Sequence, residues 1–254
     1  MSYEAKNPVQ ATQRSFDIIE ALRAENGARL TTIAASLDLP NSTVHNHLST
    51  LMEREYVVKE DDVYRLSLRF LELGEHTRSL RKIHRVAKPE LEELAAETGE
   101  VASMMIEENG LGVFLFSAQG DDAVPVETSA GTHVSLHETG LGKAILANVS
   151  TERVDEIIDR HGMAGRTTRT VVDPAALHEQ LAEVRETGIA LGDAERIEGI
   201  RSVGAPVKDE NGRVLGAIGV FGPAGRLSDD RIDGPLGDAL ENTSNIVELK
   251  FTYS

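Results

Sequence analysis

The chain opens with a run of helical periodicities. In QRSFDIIEALRAENG, Phe16, Ile18, Ile19 and Leu22 recur at helical spacing and Gly27 supplies a stop signal, which predicts a first helix. TTIAASLDL predicts a second, short helix, with Thr31 or Thr32 placed to cap it. Pro40 disfavours helix at Leu39 and so ends it. Asn41 or Ser42 is placed to cap a third helix running to about Arg54, with Val44, Leu48 and Leu51 on one face and Ser42, Thr43, Asn46, Ser49 and Thr50 on the other. YVV and VYRL, separated by KEDD, predict a β-hairpin. Three helices followed by a hairpin is a winged helix-turn-helix plan.

From Leu71 to about Lys88 the chain is polar and basic, with a thin apolar stripe at Leu73, Leu80 and Ile83, and Pro89 interrupts it; this predicts a linker helix. PELEELAAETGE resumes as an amphipathic helix that Gly99 ends. Beyond it, VASMMIE, GVFLFSA, AVPVET, VGAPV and VLGAIGVFG are strand-like, and GLGKAILAN, TERVDEIIDRHG, DPAALHEQLAEVRETG and the run after Ser228 are helix-like. Asp173-Pro174 is a strong helix start. ENGLG and KDENGRV carry turn chemistry, so neighbouring strands are expected to pair as hairpins, with helices packed against the sheet. The expectation is an α+β protein: a winged helix-turn-helix over 1–70, a linker helix over 71–88, and a second domain over 89–254 built on an antiparallel sheet.

The charge distribution changes this picture. The chain has 254 residues, 42 acidic against 26 basic, a formal net charge of −16. The acidity is dispersed and lysine (7) is scarce beside arginine (19), a pattern that keeps a surface solvated and points to a salt-loving source. It is also uneven: residues 1–75 carry −4, residues 76–90 carry +4 through Arg78, Arg81, Lys82, Arg85 and Lys88, and residues 91–254 carry −16. The DNA-probe-like region therefore escapes most of the repulsion from a polyanion. Cysteine is absent and no apolar run approaches the ~20 residues of a membrane span. With no apolar leader-like stretch at the start, a cytoplasmic location is expected.

Small polar side chains let the third helix approach base edges in a major groove, and the Asn46 amide matches the donor–acceptor pair of adenine. Arg14, Lys59, Arg65 and the linker's Arg78 and Lys82 are candidates for phosphate, and Thr32, Ser42, Thr43, His45 and Thr50 complete the expected DNA face. His45 and His47 point apart on a helix, and His133 and His137 lie in extended chain, so no metal site is expected. GLGKA lacks the earlier glycine and following hydroxyl of a phosphate loop: His137 and Ala144 stand there. It is better explained as a tight turn opening a helix, whose free N–H groups suit a carboxylate. No nucleophile elbow and no convergent acid–base pair appears, so no enzyme and no cofactor is expected. The rival reading is a small-molecule enzyme with a vestigial winged helix.

Over nearly its whole length the chain resembles the IclR family of transcriptional regulators. The similarity lies in VQATQRSFDIIEAL, TTIAASLDLPNSTVHNHLSTLMEREYV, YRLSLRFLELG, LEELAAETGEVASM, SLHETGLGKAILA and GIALGDAERIEGIRSVGAPVKDENGRVLGAIGVFGPAGR. The resemblance implies a DNA-binding domain, a linker helix and a GAF-like effector domain. It also implies dimers or tetramers on inverted-repeat operators, and effectors drawn from organic acids or aromatic metabolites. It places the effector site at the loop His137 to Leu141, with Thr139 and Gly140, and at Gly192, Ser202, Gly219 and Phe221. Members that take very small acids tend to have Asp, Cys, Ser and Ser at the last four; Gly, Ser, Gly and Phe here argue against a glyoxylate-like ligand, though Asp193 stands next door. Phe221 favours a ligand with ring or apolar surface, and Met104 and Met105 are further candidates for the lining. A repressor or activator controlled by a small metabolite is the expectation.

Overall fold

The structure is a computed structural model that describes residues 5–253; the extreme ends of the expected domains, 1–4 and 254, lie outside it. It divides into two compact units between Thr77 and Arg78. In the first, α1 (Gln10–Ala24), α2 (Leu30–Ser36) and α3 (Asn41–Glu53) pack around Ile18, Leu22, Ile33, Val44 and Leu48, each at most 1% exposed. Burying a side chain of this size contributes roughly 1.5–3 kcal/mol, so this small core is what holds α3 in place. A three-stranded antiparallel sheet follows, in the order β1 (Ala28–Arg29), β3 (Val63–Leu66), β2 (Val57–Glu60), and the β2–β3 hairpin is the wing.

Several local expectations are corrected. Phe16, counted with the core, is 61% exposed, while Ile18 and Leu22 carry the packing of α1. Neither Thr31 nor Thr32 caps α2, and neither Asn41 nor Ser42 caps α3; Arg29 and Pro40 occupy the cap positions without side-chain bonds. Asp38, at φ 51, turns the chain between the two helices, and the Leu39 N–H bonds back to the Ala34 carbonyl at 2.9 Å. The linker is not broken at Pro89. α4 (Arg69–Ser79) ends before Leu80, and α5 (Lys82–Thr98) runs through Pro89 to Gly99, whose φ of 76 closes it. α4 buries none of its side chains.

The second unit is a six-stranded antiparallel sheet in the order β6-β5-β4-β9-β8-β7. Its strands are β4 (Val101–Glu108), β5 (Leu111–Gln119), β6 (His133–Ser135), β7 (Ala190–Asp193), β8 (Ile200–Lys208) and β9 (Val214–Pro223). AVPVET, expected as a strand, is loop. Alternation along the strands gives the sheet two cores. On one face Ala102, Met104, Val203, Ala205, Ile218 and Val220 pack with α5 and the terminal α10 (Gly237–Tyr253), which follows the single turn α9 (Asp229–Arg231). On the other, Val101, Met105, Phe114, Ala217 and Phe221 pack with α6 (Gly140–Ala147), α7 (Thr151–His161) and α8 (Pro174–Thr187). Asp173 caps α8, accepting from the Ala176 N–H at 2.9 Å, as its Asp-Pro start predicts.

All eight residues of α6 are buried, including Lys143. Its ammonium donates to the Glu195 carboxylate and, at 3.3 Å, to the Leu191 carbonyl. Glu195 in turn accepts from the N–H groups of Val171 and Asp193, both at 3.3 Å. Burial holds the Lys143 pKa below its ordinary value, against the pull of Glu195.

Removing one member of a buried pair leaves the other charge uncompensated, at a cost of about 3–5 kcal/mol. Lys143→Met should therefore lower stability in urea titration by about that much. Lys88→Met, which removes a half-exposed partner of Glu92 at 3.9 Å, should change it by under ~0.5 kcal/mol. Similar small losses for both would refute a supporting role for the Lys143–Glu195 pair.

Candidate functional site

On α3 the buried residues Val44 and Leu48 define one side, and Ser42, His45, Asn46 and Thr50 are exposed on the other. Thr43, placed on the polar face, is partly buried instead. His47 turns back to α1, where its Nδ1 meets the Ser15 hydroxyl at 2.9 Å and ties the two helices together. The Thr50 hydroxyl donates to the Asn46 backbone carbonyl at 3.0 Å, so the Asn46 amide is not its partner. Thr32 on α2 is exposed, and Arg14 on α1 is partly so.

The wing separates its two expected phosphate contacts. Lys59 pairs across the hairpin with Tyr64, and Arg65 with Val58, so the two cations leave opposite faces of the ribbon. Lys59 lies over the Tyr64 ring at 5.4 Å and near Asp62 at 3.6 Å. Arg65 donates to the Asn26 carbonyl at 2.7 Å and packs against Gly27, closing the turn after α1. It thus carries a structural bond of its own.

In the second unit, one rung crosses the sheet from Gly192 through Ser202 to Phe221, and the next parallel rung runs from Ala190 through Gly204 to Gly219. All six face α6. The helix closes on them so tightly that a Cβ on Gly140 would stand 2.5 Å from the Ser202 carbonyl oxygen. A Cβ on Gly204 would lie 2.6 Å from Gly140, and one on Gly219 would lie 2.4 Å from Leu141. Here the glycines are a condition of packing rather than of backbone angle. The Gly140 N–H donates to the Ser202 hydroxyl at 2.9 Å, and Thr139 caps the helix by accepting from the Gly142 N–H at 3.0 Å. Thr139, Gly140, Leu141, Ser202, Gly219 and Phe221 are therefore brought together. A bulky residue at Gly140 would unseat α6 rather than merely block a ligand.

Two expected members stand apart. His137 turns its Nε2 to the Ala164 carbonyl at 3.3 Å, and burial holds its pKa below the usual histidine value. Asp193 alternates to the opposite face from Gly192, pairing with Arg201 at 2.7 Å and with Arg169. Desolvation opposes its ionisation, but the two guanidiniums overcome this and hold the carboxyl below its ordinary range. Met104 lies on the α5 side of the sheet and only Met105 shares the α6 side.

The sequence reading missed three side chains here. Lys143 and Glu195 were legible only as a charge inside the apolar run GLGKAILA and one acid among many. Arg196 is the third: its guanidinium lies 5.7 Å over the Phe114 ring, which packs on Phe221 at 5.8 Å, and its side chain is 8% exposed.

Comparison with known proteins identifies the two units. The family described as "Bacterial transcriptional regulator IclR C-terminal" matches residues 76–248, and "IclR helix-turn-helix domain" matches 11–61. A probable HTH-type transcriptional regulator ArcR from Halobacterium salinarum is 29% identical, covering 95% of this chain and 94% of its own length. The HTH-type transcriptional regulator BhcR of Paracoccus denitrificans is 31% identical, covering 98% and 88%. Among solved structures, an IclR homolog from Microbacterium hydrocarbonoxydans complexed with 4-hydroxybenzoate shares the fold, with TM-score 0.82 at 20% identity over 96% of this chain and all of that one. With both halves of the chain matched, the protein belongs to the IclR family: it is a DNA-binding transcriptional regulator with an N-terminal helix-turn-helix and a C-terminal effector domain.

Proposed function

We propose that α3 reads operator bases through Asn46, flanked by Ser42, Thr43, His45 and Thr50, while Arg14, Thr32, Lys59 and Arg65 hold phosphates. The observation that carries this is the two-sided burial of α3: Val44 and Leu48 are fully buried, so the helix can present only the opposite face. The amide of Asn46 is bonded to no protein group among the described residues and can serve adenine N6 and N7. Asn46→Ala should weaken operator binding by roughly 1–3 kcal/mol and relax preference at one base position. Its melting temperature should stay at the wild-type value, because the side chain is exposed. A variant that keeps the wild-type preference between the operator and a base-substituted operator would remove Asn46 from readout.

The regulator works as a homo-oligomer on an inverted repeat. Support comes from apolar side chains that the first unit leaves outside its core: Val9, Phe16, Leu68, Leu71 and Leu73 are 45–82% exposed. Two such units on half-sites about one helical turn apart, ~34 Å, read a palindrome. Light scattering at operator-binding concentrations should give a dimer or tetramer; a monomer there contradicts the proposal. No helix among the described residues is long and apolar enough to cross a membrane. The regulator acts on DNA in the cytoplasm.

The effector is an organic acid with a ring, held where α6 meets Ser202 and Phe221. Thr139, Gly140, Leu141 and Gly219 shape the contact, His137 and Asp193 stand outside it, and Arg196 beside Phe114, paired with Glu127 at 3.7 Å, supplies a cation. Its carboxylate would take the Gly140 N–H from the Ser202 hydroxyl. Titration with 4-hydroxybenzoate should raise the melting temperature and change operator affinity; a ligand at 100 times its Kd stabilises by about 2.7 kcal/mol. Glyoxylate at equal concentration should do neither, and a response to glyoxylate alone would overturn the ring requirement.

A further inference from the structure

A cleft of about 700 Å³ lies at the other end of the same sheet, between the first turn of α5, the end of β4, the start of β9 and the α6–α7 connection. Its volume is in the range of metabolite-sized sites. Phe221 and Gly216 are five residues apart on β9, about 17 Å at 3.3 Å per residue, so the cleft is separate from the rung that faces α6. Its floor is apolar: Ile83, Ile106, Ile145, Val214 and Phe251. Its rim carries four cations, Arg81, Lys82, Arg153 and Arg213, against one lining carboxylate, Glu107.

Two of these cations are already neutralised. Arg81 pairs with Glu108 at 2.9 Å, and Arg153 with Glu107 at 2.9 Å and Glu156 at 3.1 Å. Lys82 has no carboxylate within ion-pair distance among the described residues and lies over the Phe251 ring at 4.8 Å. Arg213 likewise has no such partner, although its backbone N–H bonds Asp209. In a chain with a net charge of −16, two uncompensated cations at one apolar cleft are a local inversion of charge. The complement of that surface is an anion with an apolar body. An uncharged ligand would leave the cations unused, and a bare inorganic anion would leave the floor uncovered.

We propose that this cleft is a second ligand site, distinct from the effector contact at α6, that takes a carboxylic acid with an apolar body. The acid's carboxylate meets Lys82 and Arg213 while its body covers Ile83, Ile106, Val214 and Phe251. The test uses 4-phenylbutyrate as probe, with 4-phenylbutan-1-ol as its uncharged control, in isothermal titration of the full chain at low salt. The acid should bind saturably, at least tenfold more tightly than the alcohol. Arg213→Glu changes an exposed side chain and should weaken the acid at least tenfold; Val149→Trp, which places a bulky ring in the cleft, should do the same. Phe221→Ala, which truncates a buried ring on the α6 side of the sheet outside the lining of the cleft, should leave this binding in place in protein that circular dichroism shows to be folded. Equal affinity for acid and alcohol, or an isotherm unchanged in both cleft variants, overturns the proposal. So does binding lost in Phe221→Ala alone, which would put the probe at α6. In each of these outcomes operator binding by α3 remains separately measurable.

Discussion

Helix α6 reaches the sheet only because side chains are missing where the two meet. Gly140 on the helix and Gly192, Gly204 and Gly219 on the strands face one another at distances that any Cβ would violate. That approach puts the first N–H of α6 on Ser202 and buries the whole helix. It also draws Lys143 into the interior, where it needs Glu195. Glu195 then fastens the loop at Thr167, Thr170 and Val171: the two threonine hydroxyls donate to its carbonyl, and the Val171 N–H donates to its carboxylate. One steric condition thus organises the helix, the buried ion pair and the loop over it.

The same contact is where the proposed effector would act. A helix N-terminus closed by a hydroxyl can exchange that hydroxyl for a stronger acceptor, because charge-assisted hydrogen bonds are roughly twice as strong as neutral ones. A ligand shifts a regulator only by its differential affinity for two states. In the proposed effector site, gain of a carboxylate at Gly140 against loss of the Ser202 bond would be a differential of that kind. The neighbouring Phe114, Phe221 and Arg196 add ring surface and a cation, which makes the proposed effector larger than a two-carbon acid.

The acidity of the chain and its DNA-binding role are compatible because charge is apportioned by segment. Residues 1–75 carry only −4, and the −16 of residues 91–254 belongs to the other unit. Within that unit the acids are not uniform either: Arg81, Lys82, Arg153 and Arg213 gather at one cleft. Net charge describes solubility and long-range repulsion, while binding follows the local arrangement.

Periodicity and turn chemistry in the sequence supplied most of the element plan, since burial on one face leaves a repeat of 3.6 or 2 that can be read directly; the short strands β1, β6 and β7 carry too few residues to show one. They gave α3 with Val44 and Leu48 inward, the wing, the Asp173 cap and the close of α5 at Gly99. The IclR resemblance added an expected effector loop and its expected partners on β7, β8 and β9. Only the tertiary structure decided which partners converge. Asp193 and Gly192 are neighbours in sequence but lie on opposite faces of the sheet, and Lys59 and Arg65 leave opposite faces of the wing. Phe16 matched a helical stripe but lies outside the core, and Pro89 lies inside a helix rather than between two. Lys143, Glu195 and Arg196 are charged residues in a chain full of charge, and nothing local distinguishes a buried ion pair from a solvated one. That distinction depends on what packs around each group, which is set by contacts between residues tens of positions apart.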